Sequence, residues 1–184
     1  MHLIQSKDVL TNYPSPSSMD STTENYWRIF DVNLAWIRQS DTKAYTIFMI
    51  YGLSISVALS NAQSVAGLVK ESNLVLLLSI VYLMASMIAM IFGFRCLQPS
   101  LKLKYPPSII FFGSIARTYT SPEDYYTASL KVINDDEARI KELSNQIFIN
   151  SVIAKGKFED ITKSITAFLV SLMTLVLIVM NYFI

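Results

Sequence analysis

Histidine and cysteine are almost absent from this 184-residue chain, which contains one of each, His2 and Cys96. A zinc site is usually built from four Cys or His ligands, and a histidine-based nucleophile relay needs a histidine beside the nucleophile, so neither fits this sequence. A single cysteine also excludes an intramolecular disulfide. No P-loop, G-x-S-x-G or H-x-x-x-H motif is found. We therefore expect a protein that is not an enzyme, with no catalytic residue, metal or cofactor.

Charge is scarce too, and its distribution is typical of a membrane protein. Only 16% of the residues are charged and the mean hydropathy is +0.40, whereas soluble domains carry about 25% charged residues. Residues 44–69, 72–94 and 164–184 contain no Asp, Glu, Lys, Arg or His. A helix crosses the hydrocarbon with about 20 apolar residues, so each run is long enough. These runs predict an all-α membrane protein with three transmembrane helices.

The positive charges predict the orientation. Of the 15 Lys and Arg residues, 14 lie before the first run or between the second and third, and only Lys70 lies between the first two. Because cytoplasmic segments are enriched in Lys and Arg, we expect the N-terminus and residues 95–163 inside, and the tip near Lys70 and the C-terminal Ile184 outside. The net charge of only +1 argues against general nucleic-acid binding.

Composition and periodicity divide the chain into six parts. The expected segments are a disordered tail at 1–20, a cytoplasmic amphipathic helix at 21–43, spans at 44–66, 72–94 and 164–184, and a small helical cytoplasmic domain at 95–163. The stretch "QSVAGLVKESN" is expected to form a tight turn between the first two spans.

Two long helices are predicted to run from the cytoplasm into the membrane without a break. Trp27, Phe30, Leu34 and Ile37 recur at spacings of three and four, which gives one apolar stripe leading into the first span. A second seam ends in the last span, and the resulting helix of about 50 residues is roughly 75 Å long. Its expected members are Ile140, Leu143, Ile147, Ala154, Phe158, Ile161 and Ile165. Asn150 falls in this seam, and Gly156 is its weak point.

Helix breakers and caps mark the cytoplasmic segment. Pro99, Pro106 and Pro107 break helix, and the apolar run 109–112 after them is either a short strand or a buried loop. In "TSPEDYY", Ser121 is predicted to cap a helix that has Pro122 at its first position. Asn134, with Glu137 three residues later, is predicted to cap the last helix.

Three motifs together resemble a known family. "SDTKA" opens the first span, "FFGSIA" is followed by "SPEDYY", and "NSVIAKGKF" precedes the last span. Over residues 25–184 the order of these elements is similar to the transmembrane effectors of Pycsar antiphage defence systems. Those effectors usually have Tyr where this chain has Phe158, which removes a hydroxyl from any contact there.

The resemblance implies a multi-pass protein of the bacterial inner membrane that senses a cyclic pyrimidine mononucleotide, cCMP or cUMP, made by a companion cyclase. It implies that the response impairs the membrane and causes abortive infection. Because one nucleotide buries little surface in a single small helical subunit, a ligand-linked homo-oligomer is expected. The alternative is a non-enzymatic membrane interaction or structural subunit.

Cations near the cytoplasmic ends of the spans are the candidate ligand-binding residues. A phosphate would be met by Arg38 or Lys43, while Asp41 accepts a hydrogen bond from a base or ribose hydroxyl. Further candidates at similar depth are Arg95, Asn150, Lys155 and Lys157. In the alternative reading the cations are a basic collar that anchors the spans, Asp41 is solvated or paired with Arg38, and Asn150 sets register or oligomeric state.

Overall fold

Three long helices form the body of the molecule. The structure is a computed structural model, and it describes residues 21–98 and 107–183. Six helices lie within these ranges: α1 (Ser21–Ser60), α2 (Ala62–Glu71), α3 (Asn73–Leu97), α4 (Phe112–Thr118), α5 (Pro122–Ile133) and α6 (Asp136–Phe183). The helices α1, α3 and α6 are each long and apolar enough to cross a membrane, which confirms the predicted all-α fold with three candidate spans. The predicted tail at 1–20, together with Pro99 and Pro106, lies outside the described residues.

The helix α6 is the centre of a three-helix bundle. Contacts pair residues 33, 41 and 51 of α1 with residues 151, 157 and 171 of α6, so these two helices run parallel. Contacts pair residues 96 and 89 of α3 with residues 157 and 164 of α6, so α3 runs antiparallel to both. The bundle core is formed by Ala44, Ile47, Tyr51, Ala89, Cys96 and Ile161.

The predicted continuity of the first and last helices is confirmed. The helix α1 extends over 40 residues and α6 over 48 residues, neither interrupted by proline. On α1 the predicted stripe of Trp27, Phe30, Leu34 and Ile37 is half-buried, as expected for residues that face α6.

The seam of α6 differs in part from the predicted one. Buried positions recur every seven residues, at Leu143, Asn150, Lys157, Ser164 and Ser171, and such a repeat is typical of helices packed as in a left-handed coiled coil. Leu143 and Ile161 are buried as predicted, and Asn150 lies in the seam. Phe158 is 52% exposed, because it lies 100° around the helix from Lys157, which takes the inward position.

Helix α2 replaces the tight turn that was predicted between the first two spans. The helix α1 ends at Ser60, and Asn61 donates its side-chain amide to the carbonyl of Val57 at 2.9 Å. After the ten residues of α2, Ser72 caps α3 by accepting a hydrogen bond from the backbone N–H of Val75. The apolar positions of "AQSVAGLVKE" suit an amphipathic helix, a pattern that the turn interpretation overlooked.

The small helices α4 and α5 pack near the start of α6. Of the apolar run 109–112, residues 109–111 form a half-buried loop and Phe112 begins α4, so the run is mostly loop and not a strand. Ile109 holds this loop in place, since its N–H donates to Glu142 at 3.0 Å and its carbonyl accepts from the Tyr125 hydroxyl at 3.0 Å. Ser121 caps α5 as predicted. The predicted cap of α6 at Asn134 is wrong by one residue, because the Asp135 carboxylate accepts the N–H of Ala138 at 3.1 Å.

Candidate functional site

A buried lysine joins the three long helices at the end of the bundle where the uncharged runs of α1 and α6 begin and that of α3 ends. The Lys157 ammonium on α6 donates to Asp41 Oδ1 on α1 at 2.5 Å and to the backbone carbonyl of Cys96 on α3 at 2.6 Å. The side chains of Lys157 and Asp41 are 10% and 30% exposed. We call Asp41, Cys96 and Lys157 the three-helix node.

The local sequence explains why these three groups meet. Lys157 occupies the inward position of the seven-residue repeat of α6, and Asp41 lies beside the buried positions Ser40 and Ala44 of α1. Cys96 is the second-last residue of α3, so its carbonyl has no partner within the helix and lies at the negative end of the helix dipole. A cation is favourable at that position. Lys157 thus neutralises both an acid of one helix and the C-terminus of another.

The node matters for the stability of the bundle because the loss of one partner is costly. A buried ion pair gains little net stability over apolar residues of similar volume, but removing one partner leaves a charge without compensation and costs about 3–5 kcal/mol. Because the Asp41 side chain is partly exposed, we place the cost of losing Lys157 at the lower end of that range.

A second ionic contact lies beside the node. Arg95 on α3 approaches Asp160 on α6, with 3.4 Å between its Nη2 and Oδ1. The Arg95 guanidinium also lies 5.3 Å from the ring centroid of Phe92. Arg95 is 57% exposed, so surface screening makes this pair worth at most about 1 kcal/mol, and its cation is accessible to a ligand.

The remaining predicted residues are dispersed. Arg38 and Lys43 are exposed on α1, and within residues 21–98 and 107–183 they form no ion pair. Lys155 is exposed on α6, and its Nζ lies 3.9 Å from Oε1 of Glu159 on the same helix. Asn150 is buried, seven residues before Lys157. The structure thus brings Asp41 and Lys157 together with Arg95 nearby, and leaves Arg38, Lys43 and Lys155 on the surface.

The carboxylate of Asp41 has a partner that the anchoring interpretation did not include. In that interpretation it is solvated or paired with Arg38, whereas the structure pairs it with Lys157, 116 residues further along the chain. The expectation that Asp41 accepts a hydrogen bond from a ligand stays a prediction. An ion pair between helices replaces the one expected within α1, because Asp41 lies beside the buried stripe and Arg38 lies on the solvent side.

Sequence reasoning also missed several inward polar contacts above the node. The Ser164 hydroxyl donates to the carbonyl of Ala89 at 2.7 Å, and the hydroxyls of Tyr51 and Ser171 are 2.7 Å apart. These serines lie seven and fourteen residues after Lys157. The seven-residue spacing of Lys157, Ser164 and Ser171 is visible in the sequence. The apolar pattern instead predicted that the neighbouring positions Phe158 and Ile165 face inward.

The aromatic residues take different positions from those expected. Phe111 and Phe112 belong to the run 109–112 that was expected to be a strand or a buried loop, yet Phe111 is only half-buried and Phe112 is exposed. Trp36 is exposed as well, and with Ser40, Ala154, Lys155 and Phe158 it lines an open groove of about 280 Å³ between α1 and α6. One of the candidate cations, Lys155, therefore lies in the wall of this groove.

Comparison with known proteins identifies the family. The model of the Pycsar effector protein domain, PycTM, matches residues 25–184. The chain belongs to the Pycsar effector family. Its members are antiphage defence effectors that act on membranes, and the three candidate spans of this effector agree with that role. No curated protein and no solved structure shows a significant match to the effector.

Proposed function

We propose that this effector senses a cyclic pyrimidine mononucleotide, cCMP or cUMP, on the cytoplasmic side of the bacterial inner membrane and responds by impairing that membrane. The result is abortive infection. The three-helix node carries the proposal, since it connects all three candidate spans at the level where a soluble ligand reaches the bundle. The family supplies the context of a cyclic nucleotide signal from a companion cyclase.

The charge distribution supports the cytoplasmic position of the site. The node lies at the end of α3 and just before the uncharged runs of α1 and α6. Of the twelve Lys and Arg residues within 21–98 and 107–183, all but Lys70 belong to segments at this end of the bundle, which is the side that the positive-inside rule assigns to the cytoplasm.

The exposed cations bind the ligand, and the node converts this binding into a movement of the helices. Arg38, Lys43, Arg95 and Lys155 are exposed, so their charges are available to a phosphate diester. A phosphate that reaches Lys157 competes with Asp41 for the ammonium. Loss of that pair releases α1 from α6, and the spans rearrange. A ligand shifts the equilibrium between the paired and the released state of the node only by the difference between its affinities for the two states. Here that difference arises because the phosphate pairs with Lys157 only when Asp41 has been released.

One observation favours the alternative, in which the cations only anchor the spans. Arg38 and Lys43 form no ion pair within the described residues and lie beside the start of the uncharged run, a position from which long cationic side chains reach lipid headgroups. In that case the protein is a membrane interaction or structural subunit without a ligand.

Thermal unfolding of the detergent-purified protein separates the two functions. A ligand at one hundred times its Kd stabilises a protein by about 2.7 kcal/mol, so cCMP or cUMP is expected to raise the Tm. Linear CMP and UMP and the purine cAMP are the controls, and they should leave the Tm unchanged. No increase with either cyclic pyrimidine, in a sample that unfolds cooperatively, would reject nucleotide sensing and leave the anchoring function.

A further inference from the structure

Two cations from different helices lie against one aromatic ring at the end of the α3 span. The Arg95 guanidinium on α3 and the Lys163 ammonium on α6 are each 5.3 Å from the centroid of the Phe92 ring, so the two charges are no more than twice that distance apart. Both cationic side chains are exposed and Phe92 is half-buried. Within the part of the chain that the structure describes, Lys163 forms no ion pair. We call Phe92, Arg95 and Lys163 the α3/α6 cation site.

The site lies at the boundary of the hydrocarbon. Arg95 directly follows the uncharged run of α3, and Lys163 directly precedes that of α6. Because the two helices are antiparallel, these two ends lie at the same level. The headgroups of a bilayer begin where the apolar runs end, and Lys and Arg side chains at helix ends extend their charges into that layer. A lipid phosphate is therefore the anion available to both cations.

The net charge of the site favours an anionic lipid over a zwitterionic one. The carboxylate of Asp160 lies 3.4 Å from the Arg95 guanidinium and neutralises part of its charge, which leaves the charge of Lys163 in excess. That excess repels the ammonium of a zwitterionic headgroup, whereas a headgroup whose only charge is its phosphodiester is attracted. Basic pockets between transmembrane helices bind acidic headgroups in this way.

An apolar path for the acyl chains leads from the site into the membrane. Ile88 lies one turn of α3 deeper than Phe92, and Val170 lies two turns of α6 deeper than Lys163. Both side chains are exposed, and their spacings of four and seven residues place them on the same sides of the two helices as the site. The phosphate and the acyl chains of one lipid thus each meet side chains that suit them.

We propose that the α3/α6 cation site binds the phosphodiester headgroup of one anionic glycerophospholipid. The two cations hold the phosphate from two helices, and the Phe92 ring holds the cations in place through cation–π contacts. The bound lipid ties the end of α3 to the start of the α6 span. The inference rests on the membrane insertion in the proposed function. It is independent of nucleotide sensing, since it leaves Arg38, Lys43 and Lys155 for the nucleotide.

Native mass spectrometry of the full chain, purified in a neutral detergent, tests the site. Titration with dioleoylphosphatidylglycerol should give one tightly bound lipid per chain, and dioleoylphosphatidylcholine should bind about tenfold more weakly. Arg95→Gln and Lys163→Gln should each raise the Kd for phosphatidylglycerol about fivefold, the effect of one basic residue on an anionic lipid.

The matched control is Lys43→Gln, which removes an exposed cation directly before the uncharged run of α1. It should change the Kd for phosphatidylglycerol by less than about twofold, because a neutral micelle has no charged surface and salt screens distant charges.

A variant with the opposite expected sign separates lipid binding from damage to the fold. Asp160→Asn removes the acid that competes with the lipid for Arg95, so phosphatidylglycerol should bind about fivefold more tightly. A damaged bundle would not bind the lipid more tightly. Addition of cCMP or cUMP distinguishes the two sources of phosphate, and neither nucleotide should displace phosphatidylglycerol.

Several outcomes would overturn the proposal. Equal binding of the two lipids would do so, as would a loss of affinity in Lys43→Gln as large as that in Lys163→Gln, because the cations would then act as a general basic collar. Weaker binding to Asp160→Asn would also contradict it. Displacement of the lipid by cCMP or cUMP would assign the site to the nucleotide.

Failure of the lipid site and failure of nucleotide sensing give different results. Tight binding of phosphatidylglycerol that Arg95→Gln and Lys163→Gln weaken, without any Tm response to cCMP or cUMP, would reject nucleotide sensing and retain the lipid site. The reverse pair of results would reject the lipid site alone.

Discussion

Lys157 is the residue whose loss should affect this molecule most. Its ammonium has two acceptors, one on each of the other two spans, and its side chain is almost wholly buried. No apolar or neutral polar side chain reproduces both contacts, because the Cys96 carbonyl requires a donor and the Asp41 carboxylate requires a cation.

A double-mutant cycle measures the node. Lys157→Met should lower the free energy of unfolding by about 3 kcal/mol, because Asp41 is left without its counter-ion. Adding Asp41→Asn should recover about 0.5–3 kcal/mol, since the uncompensated charge is then removed. Denaturation in mixed micelles gives both values. The matched control is Lys155→Met, which removes an exposed pair with Glu159 and should change stability by no more than about 0.5 kcal/mol. Equal effects of the two lysine substitutions would contradict the central role of the node.

Nucleotide affinity tests the neighbouring residues Asp41 and Lys43. Asp41→Asn removes the carboxylate that competes with the ligand phosphate for Lys157, so binding of cCMP or cUMP should strengthen by about 1.5–3 kcal/mol, or roughly 10- to 150-fold in Kd. Lys43→Glu should abolish binding through repulsion of the phosphate beside a low-dielectric surface. Lys43→Arg retains the charge and should stay near the parent affinity.

The affinity measurements count only for variants that insert and unfold cooperatively, because Asp41 also supports the bundle. Affinities within twofold of the parent for both Asp41→Asn and Lys43→Glu would assign these residues to anchoring alone.

At the scale of the elements, the spans are held together by small and polar side chains more than by large apolar ones. Ala44, Ala89 and Ser164 are fully buried, while Leu, Val and Met side chains of α6 such as Leu169, Met173 and Met180 are exposed along the same helix. This is the expected pattern where lipid covers the outside, because lipid tails solvate apolar side chains as well as a helix does. Close approach of backbones and hydrogen bonds between helices then provide the association.

Two glycines provide a test of this packing. A Cβ at Gly156 on α6 would meet nothing within 4 Å, whereas a Cβ at Gly93 on α3 would lie 3.3 Å from both the Phe48 ring and Ser164 Oγ. Gly156→Ala should therefore stabilise the protein by about 0.5–1 kcal/mol through helix propensity. Gly93→Ala should lower stability or force Phe48 to move. Unfolding in micelles compares the two substitutions, and a stabilising Gly93→Ala would contradict the close approach of α3 to α6.

At the scale of the whole molecule, the helix directions and the charges together predict an orientation in the membrane. Because α1 and α6 are parallel and α3 is antiparallel, the start of α1, the end of α3 and the start of α6 lie on one side. The basic residues concentrated there predict, by the positive-inside rule, that this side faces the cytoplasm.

Thiol accessibility tests this orientation. With Cys96→Ser as background, Lys70→Cys should react with a membrane-impermeant maleimide in spheroplasts, since it lies at the end of α2, on the side that is predicted to face outward. Lys141→Cys, exposed near the start of α6, should react only after permeabilisation. Labelling of position 141 in intact spheroplasts would overturn the cytoplasmic site, because the nucleotide would then be on the wrong side of the membrane.

Properties that depend on local sequence were predictable. Uncharged runs of about 20 residues identify the spans, since each run must satisfy its own backbone hydrogen bonds inside the membrane as a helix. The continuity of α1 and α6 follows from the absence of proline, and the cap at Ser121 follows from the residues beside it. The family was visible in the order of three short motifs, and the match over residues 25–184 confirms it.

The partner of Asp41 and the exposure of Phe158 were decided by the tertiary structure. Both depend on the register and rotation of α6 against α1, helices whose contacting residues are more than one hundred positions apart. A shift of one residue rotates a helix by 100°, which is enough to exchange Lys157 with Phe158 in the core. Hydrophobicity favours the phenylalanine at the inward position. The structure has the lysine there, because only a cation satisfies both the Asp41 carboxylate and the end of α3.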